Sequence, residues 1–163
     1  MRVADAMRRE VVTVGPELPL HDLEARLVHE RVSGVPVVER GRVVGVVSRA
    51  DVLRHLELER TQLGALSAFY LEPWDADARS AEDDARVPRA VAERMERLRV
   101  RDVMVGDVIA VAPDAPLREA ARLMVEHRVH RVLVLDGGRL AGLLSAFDLV
   151  RLVADGALTE RGP

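Results

Sequence analysis

Residues 3–53, VADAMRREVVTVGPELPLHDLEARLVHERVSGVPVVERGRVVGVVSRADVL, and residues 100–150, VRDVMVGDVIAVAPDAPLREAARLMVEHRVHRVLVLDGGRLAGLLSAFDLV, align without a gap at a shift of 97 positions. Of the 51 aligned pairs 18 are identical, among them Asp5/Asp102, Met7/Met104, Val14/Val111, Pro16/Pro113, Pro19/Pro116, Leu20/Leu117, Val35/Val132, Gly45/Gly142, Ser48/Ser145 and Asp51/Asp148. Most other pairs keep their character, as in Val12/Ile109, Leu27/Met124 and Val38/Leu135. Two copies of one fold with the same buried positions produce this pattern, and the internal repeat therefore decides the architecture.

Each copy reads as strand, helix, strand, strand, helix. A short extended piece, 11–14 or 108–111, meets a proline-containing turn that stops pairing and prepares a helix start. Leu20, Leu23, Leu27 and Val28, and likewise Leu117, Ala120, Met124 and Val125, then recur at i, i+3, i+7 and i+8, which predicts an amphipathic helix with one buried stripe. Two β-branched runs follow, 35–38 with 43–47 and 132–135 with 140–144, joined by the short turns ERGR and DGGR. After Ser48 and Ser145 a second helix carries Val52, Leu53 and Leu56, or Leu149, Val150 and Val153. A unit of about 50 residues is marginal alone, so the reading is one pseudo-symmetric α/β body made of two packed units.

Residues 54–99 have no counterpart in the repeat. RHLELERTQLGALSAFYLEPW extends the second helix to about Leu71, with Pro73 ending it. DADARSAEDDA reads as a polar turn or loop, and a last helix from about Pro88 to Leu98 carries Val91, Met95 and Leu98 on one face. Phe69, Tyr70 and Trp74 cluster in this insert, as a satellite core or oligomer contact, or as a regulatory ligand or partner surface.

Composition removes several chemistries. With no cysteine the chain has no disulfide, thiol nucleophile or thiolate metal site. Lys+Arg 24 against Asp+Glu 27 gives a net charge of −3, which offers little long-range attraction to nucleic acid, and aromatics at 2% leave no stacking platform. No run approaches the length of a membrane span and the first residues lack a signal-peptide core, so a cytoplasmic location without membrane contact is expected.

The two copies, and above all VADAMRREVVTVGPELPL with VRDVMVGDVIAVAPDAPL and VSGVPVVERGRVVGVVSRAD with VHRVLVLDGGRLAGLLSAFD, resemble a tandem pair of cystathionine-β-synthase (CBS) domains. The resemblance covers about 51 residues of each copy and leaves the 54–99 insert outside. It implies a first CBS domain at 1–56, a helical insert and linker at 57–98 and a second CBS domain at 99–156. It also implies a homodimer and a sensing role. The ligand would be an adenosine-containing molecule (AMP, ADP, ATP or S-adenosylmethionine), held in clefts between paired domains and acting as a regulatory ligand, with no resident cofactor. If the module is regulatory, its output is exerted in trans on a protein partner. The alternative is an oligomeric interaction module with non-binding clefts.

The family's ligand signature, a glycine, then a hydroxyl residue, then an aspartate three positions on, stands here as Gly45-Val-Val-Ser48-Arg-Ala-Asp51 and Gly142-Leu-Leu-Ser145-Ala-Phe-Asp148. Serine replaces the commoner threonine and keeps the hydroxyl. By resemblance Asp51 and Asp148 accept from ribose hydroxyls while Ser48 and Ser145 face phosphate, roles suited to a carboxylate and to a helix N-terminus. A serine followed three residues later by an acid is equally a helix capping box, and the two roles can coexist. The rest of the cleft would be Thr13, Val14, Gly34, Val35 and Pro36 in the first copy, and Ala110, Val111, Arg131, Val132 and Leu133 in the second. His130-Arg131 replaces Ser33-Gly34, so Arg131 is either a phosphate contact or a solvent-exposed or salt-bridged arginine.

Enzyme signals are weak. His127 and His130 at i, i+3 have no evident third ligand, so no metal site is assigned. No GxSxG elbow occurs, Gly137-Gly138 lacks the Gly-Lys-Ser/Thr completion of a phosphate loop, and Asp83-Asp84 lies in the polar linker. A non-catalytic role is expected.

Overall fold

The computed structural model describes residues 1–57, 70, 93 and 96–158. The aromatic cluster Phe69–Trp74 therefore lies outside the described residues except for Tyr70, which is helical and fully buried. The proposed 88–98 helix is described only at Glu93, Glu96 and Arg97, helical and exposed, and at half-buried Leu98.

The repeat appears twice in the backbone. In the first copy α1 (Leu20–Glu30), β1 (Gly34–Glu39), β2 (Arg42–Ser48) and α2 (Arg49–Glu57) follow in order. The second copy opens with a short α3 (Val100–Val103) and continues with β3 (Ala110–Val111), α4 (Leu117–His127), β4 (Arg131–Asp136), β5 (Arg139–Ser145) and α5 (Ala146–Ala154). The mixed α/β class and the two strand–helix–strand–strand–helix units are those read from the sequence. Pro19 and Pro116 stand at the N-caps of α1 and α4 with φ near −60°, the value their rings impose.

Both hairpins are antiparallel, with the same register irregularity between Val37/Val38 and Val134/Leu135. Arg40-Gly41 and Gly137-Gly138 hold the turns with φ of 49°/77° and 56°/85°, the left-handed pair that a two-residue hairpin requires. The double glycine is thus a hairpin turn. The predicted extended piece at 11–14 is reduced to one parallel bridge, Val14 to Val37, and at 108–111 to Ala110–Val111 beside Leu133 and Val134. Gly15-Pro16 and Ala112-Pro113 turn the chain away at once, and proline has no N–H with which to extend a ladder.

The chain divides into two compact units that do not follow the repeat boundaries: Val12–Val108, and Met1–Val11 with Ile109–Pro163. Each unit takes the opening segment of the other copy. Within the first, Val105 exchanges both backbone hydrogen bonds with Val46, at 2.9 and 3.0 Å, while Val100 and Val103 join the core of Leu20, Leu23, Leu27, Val35, Val37 and Val47. Within the second, Arg8 does the same with Leu143, at 2.8 and 2.9 Å, and Val3 is fully buried. The pairs are related by the same shift of 97. The 1–56 and 99–156 partition follows sequence similarity, whereas compactness follows the exchanged β-pairing.

Two members of the predicted helix stripes do not reach a core. Val28 is 50% and Val125 77% exposed, whereas Leu20, Leu23 and Leu27, and Leu117, Ala120 and Met124, are buried. At 100° per residue the i+8 position lies 80° from i, far enough round the helix to pass the edge of a stripe centred on i, i+3 and i+7.

Candidate functional site

The signature places its three residues at the junction of β2 with α2, and of β5 with α5. The strand must end and the helix begin within one residue, and the serine–aspartate pair satisfies the amide groups left unpaired there. Ser48 donates from N and Oγ to Asp51 Oδ2 at 2.9 and 2.8 Å, and Asp51 N donates back to Ser48 Oγ at 3.1 Å. Ser145 donates from N and Oγ to Asp148 Oδ2 at 2.9 and 2.5 Å, and Asp148 N donates to Ser145 Oγ at 3.2 Å. Both pairs are reciprocal capping boxes. Both aspartates are nonetheless buried, Asp51 to 4% and Asp148 to 1% exposure, which is rare for a cap and requires charged or hydrogen-bonding partners.

Those partners are arginines on Oδ1. Arg54 Nη1 lies 3.3 Å from Asp51 Oδ1, and its repeat equivalent Arg151 Nη2 lies 3.1 Å from Asp148 Oδ1. A further arginine, Arg8, donates from Nε and Nη2 to Asp148 Oδ1, both at 3.2 Å. Its equivalent in the first unit is Val105, which carries no charge. Nothing in the local signature announces Arg54, Arg151 or Arg8. The first two could have been found from their shared i+3 spacing on the helix, the third only from the strand exchange.

The glycines of the signature have a packing role. A Cβ on Gly45 would stand 2.8 Å from the Val105 carbonyl oxygen and 3.3 Å from Met104 Sδ. One on Gly142 would meet the Arg8 carbonyl oxygen at 2.5 Å and Met7 Sδ at 2.8 Å. The identities Gly45/Gly142 and Met7/Met104 thus record the close approach of the exchanged segment.

The other sequence-predicted residues lie along the neighbouring strands. Gly34 is paired with Ser48 and Arg131 with Ser145 across the hairpins, so the start of β1 or β4 flanks each helix start. Ser33 O accepts from Arg49 N at 2.9 Å and His130 O from Ala146 N at 2.8 Å, closing the same corner. Val35, Pro36, Val132 and Leu133 are buried in β1 and β4. Val14 and Val111 are buried beside them, with Thr13 and Ala110 half-buried. Arg131 is 6% exposed, so the solvent-exposed arginine considered from the sequence does not occur. Among the described residues no group of three His, Asp or Glu is arranged to hold a metal, and no helix is long and apolar enough to cross a membrane.

The sequence model of the CBS domain matches residues 3–58 and 100–155. An uncharacterized protein of Methanocaldococcus jannaschii, MJ1426, is 28% identical over 158 residues, covering 92% of this chain and 89% of its own. Among solved structures, CBSX2 in complex with AMP is 25% identical with a TM-score of 0.67, over 96% of this chain and 98% of that one; CBSX2 is also known as a CBS-pair protein from Arabidopsis thaliana. The CBS domain pair of MJ0100, solved with 5′-methylthioadenosine and S-adenosyl-L-methionine, has the same fold at a TM-score of 0.62 and 17% identity, over 95% and 97% of the two chains. With both copies matched over most of the sequence, the chain belongs to the CBS-domain family, as a tandem pair of these non-catalytic regulatory modules.

Proposed function

We propose that the protein is a sensor that binds an adenosine-containing ligand, AMP, ADP, ATP or S-adenosylmethionine, at the helix starts of Asp51 and Asp148, and responds by a change in conformation. The observation that carries this reading is the burial of both carboxylates at helix N-termini beside the β1 and β4 starts, in two units of one repeat. A carboxylate supplies the acceptors a ribose diol needs, and the helix start favours an anion beside it. AMP in the CBSX2 structure, at 25% identity, supports the ligand class. Thr13, Val14, Gly34, Val35 and Pro36, with Ala110, Val111, Arg131, Val132 and Leu133, are the proposed lining, Arg131 serving phosphate.

Regulation requires the ligand to prefer one of two states, and the preference to reach something else. We assign that output to a homodimer acting on a protein partner in trans, in the cytoplasm, with domains at 1–56 and 99–156 and an insert at 57–98. A dimer is supported by the largely apolar groove formed by α4, α5 and Leu158 beyond it, lined by Leu117, Arg118, Ala121, Leu149, Val150 and Val153, where Val150 and Val153 are each 60% exposed. The same groove, together with the arginines already on Asp148, favours the second reading of an interaction module without ligand.

Calorimetric titration of nucleotide-free protein with AMP and with S-adenosylmethionine separates the two. Saturable binding that Asp51→Ala and Asp148→Ala each weaken by about tenfold or more, with about 1 kcal/mol lost in stability through the cap, is expected. No saturable binding of either ligand would leave the interaction module.

A further inference from the structure

We infer that Arg8 is a gate on the second unit's ligand site: its guanidinium occupies the Asp148 carboxylate oxygen that ribose would use, and binding there requires Arg8 to leave. The inference rests on the ribose role proposed for Asp148. A carboxylate offers about four lone-pair positions. Asp148 already receives Ser145 N and Oγ on Oδ2, and Arg8 Nε, Arg8 Nη2 and Arg151 Nη2 on Oδ1. Its acceptor capacity is filled, so a sugar hydroxyl gains a hydrogen bond only by displacing a donor.

The donors differ in how readily they leave. Ser145 is buried and caps α5, so losing its bonds uncaps the helix. Arg8 and Arg151 are 52% and 53% exposed, and their guanidinium groups regain water on release. Arg151 has an equivalent in Arg54, a feature common to both sites. Arg8 has none, since the exchanged segment brings Val105 to the matching place opposite Val46. The Arg8 contact itself is therefore particular to the Asp148 site. It is carried by the strand segment of residues 1–11, whose backbone stays paired to Leu143 when the side chain swings away.

The test uses the full chain in an Asp51→Ala background, so that only the second site reports, titrated with adenosine and with AMP. Arg8→Ala is expected to tighten both by about tenfold, one competing charge-assisted contact having been removed, with Arg8→Gln between the two. Unchanged affinity for both ligands would overturn the gate. So would weaker AMP binding with adenosine unaltered, which would make Arg8 a phosphate anchor instead. Adding Asp148→Ala to the background distinguishes the underlying reading: if adenosine then binds as before, the ribose role fails and the gate with it. The contact has its own ligand-free readout, protection of the Arg8 Nε–H signal by nuclear magnetic resonance, expected in the Asp51→Ala protein and lost on adding Asp148→Ala. Absence of that protection in the Asp51→Ala protein would also overturn the inference.

Discussion

The helix starts at Ser48–Asp51 and Ser145–Asp148 share the same three signature residues and the same capping box, yet Asp148 also holds Arg8, whereas the segment paired with Val46 carries Val105 at the matching position. The difference arises about 140 residues away in sequence for Asp148 and about 54 for Asp51, because each unit pairs its hairpin with the opening segment of the other copy. Local chemistry repeated by duplication thus acquires different contacts through a strand position that is not part of the motif. For the proposed sensor this predicts that the Asp148 site binds ligand more weakly than its Arg8→Ala variant does.

The close approach of the exchanged segments is most sensitive at the glycines. Gly142→Ala and Gly45→Ala push a methyl against a backbone carbonyl that is itself hydrogen-bonded in the exchanged pairing, at 2.5 and 2.8 Å. Both should destabilise by about 1–3 kcal/mol, with Gly142→Ala the larger because Met7 Sδ also stands at 2.8 Å. Equilibrium unfolding in urea measures both, and two neutral substitutions would refute the close approach. The smallest effect is expected where the helix stripes leave the core. Val28→Ser and Val125→Ser at 50% and 77% exposure should each change stability by no more than about 0.5 kcal/mol. A cost of about 2 kcal/mol at Val125 would show that this face is buried against another surface in solution.

Much of the fold was legible because the signals were local and doubled. Leu20, Leu23 and Leu27 marked α1, the β-branched runs marked both hairpins, and Gly41/Gly138 marked their turns. The ends of α1 and α4 were less legible. Arg31 and Arg128 take the left-handed C-cap, with φ of 55° and 54°, at a place where glycine is the usual signal. The signature aspartates were found by pattern, but their arginine partners depend on tertiary placement, and Arg8 depends on an exchange that no window of sequence contains. The shared Met7/Met104 and Gly45/Gly142 identities were its trace, visible as repetition but readable as contact only once the strands were in place.

The proposed function stands or falls with ribose binding by Asp51 and Asp148. The most direct test compares adenosine with 2′-deoxyadenosine in calorimetric titrations of the unmodified protein and of the Asp51→Ala/Asp148→Ala double variant. A site built to accept from a sugar hydroxyl should prefer adenosine by about tenfold or more, and that preference should vanish in the double variant. An equal preference in both proteins would rule out ribose binding by these aspartates.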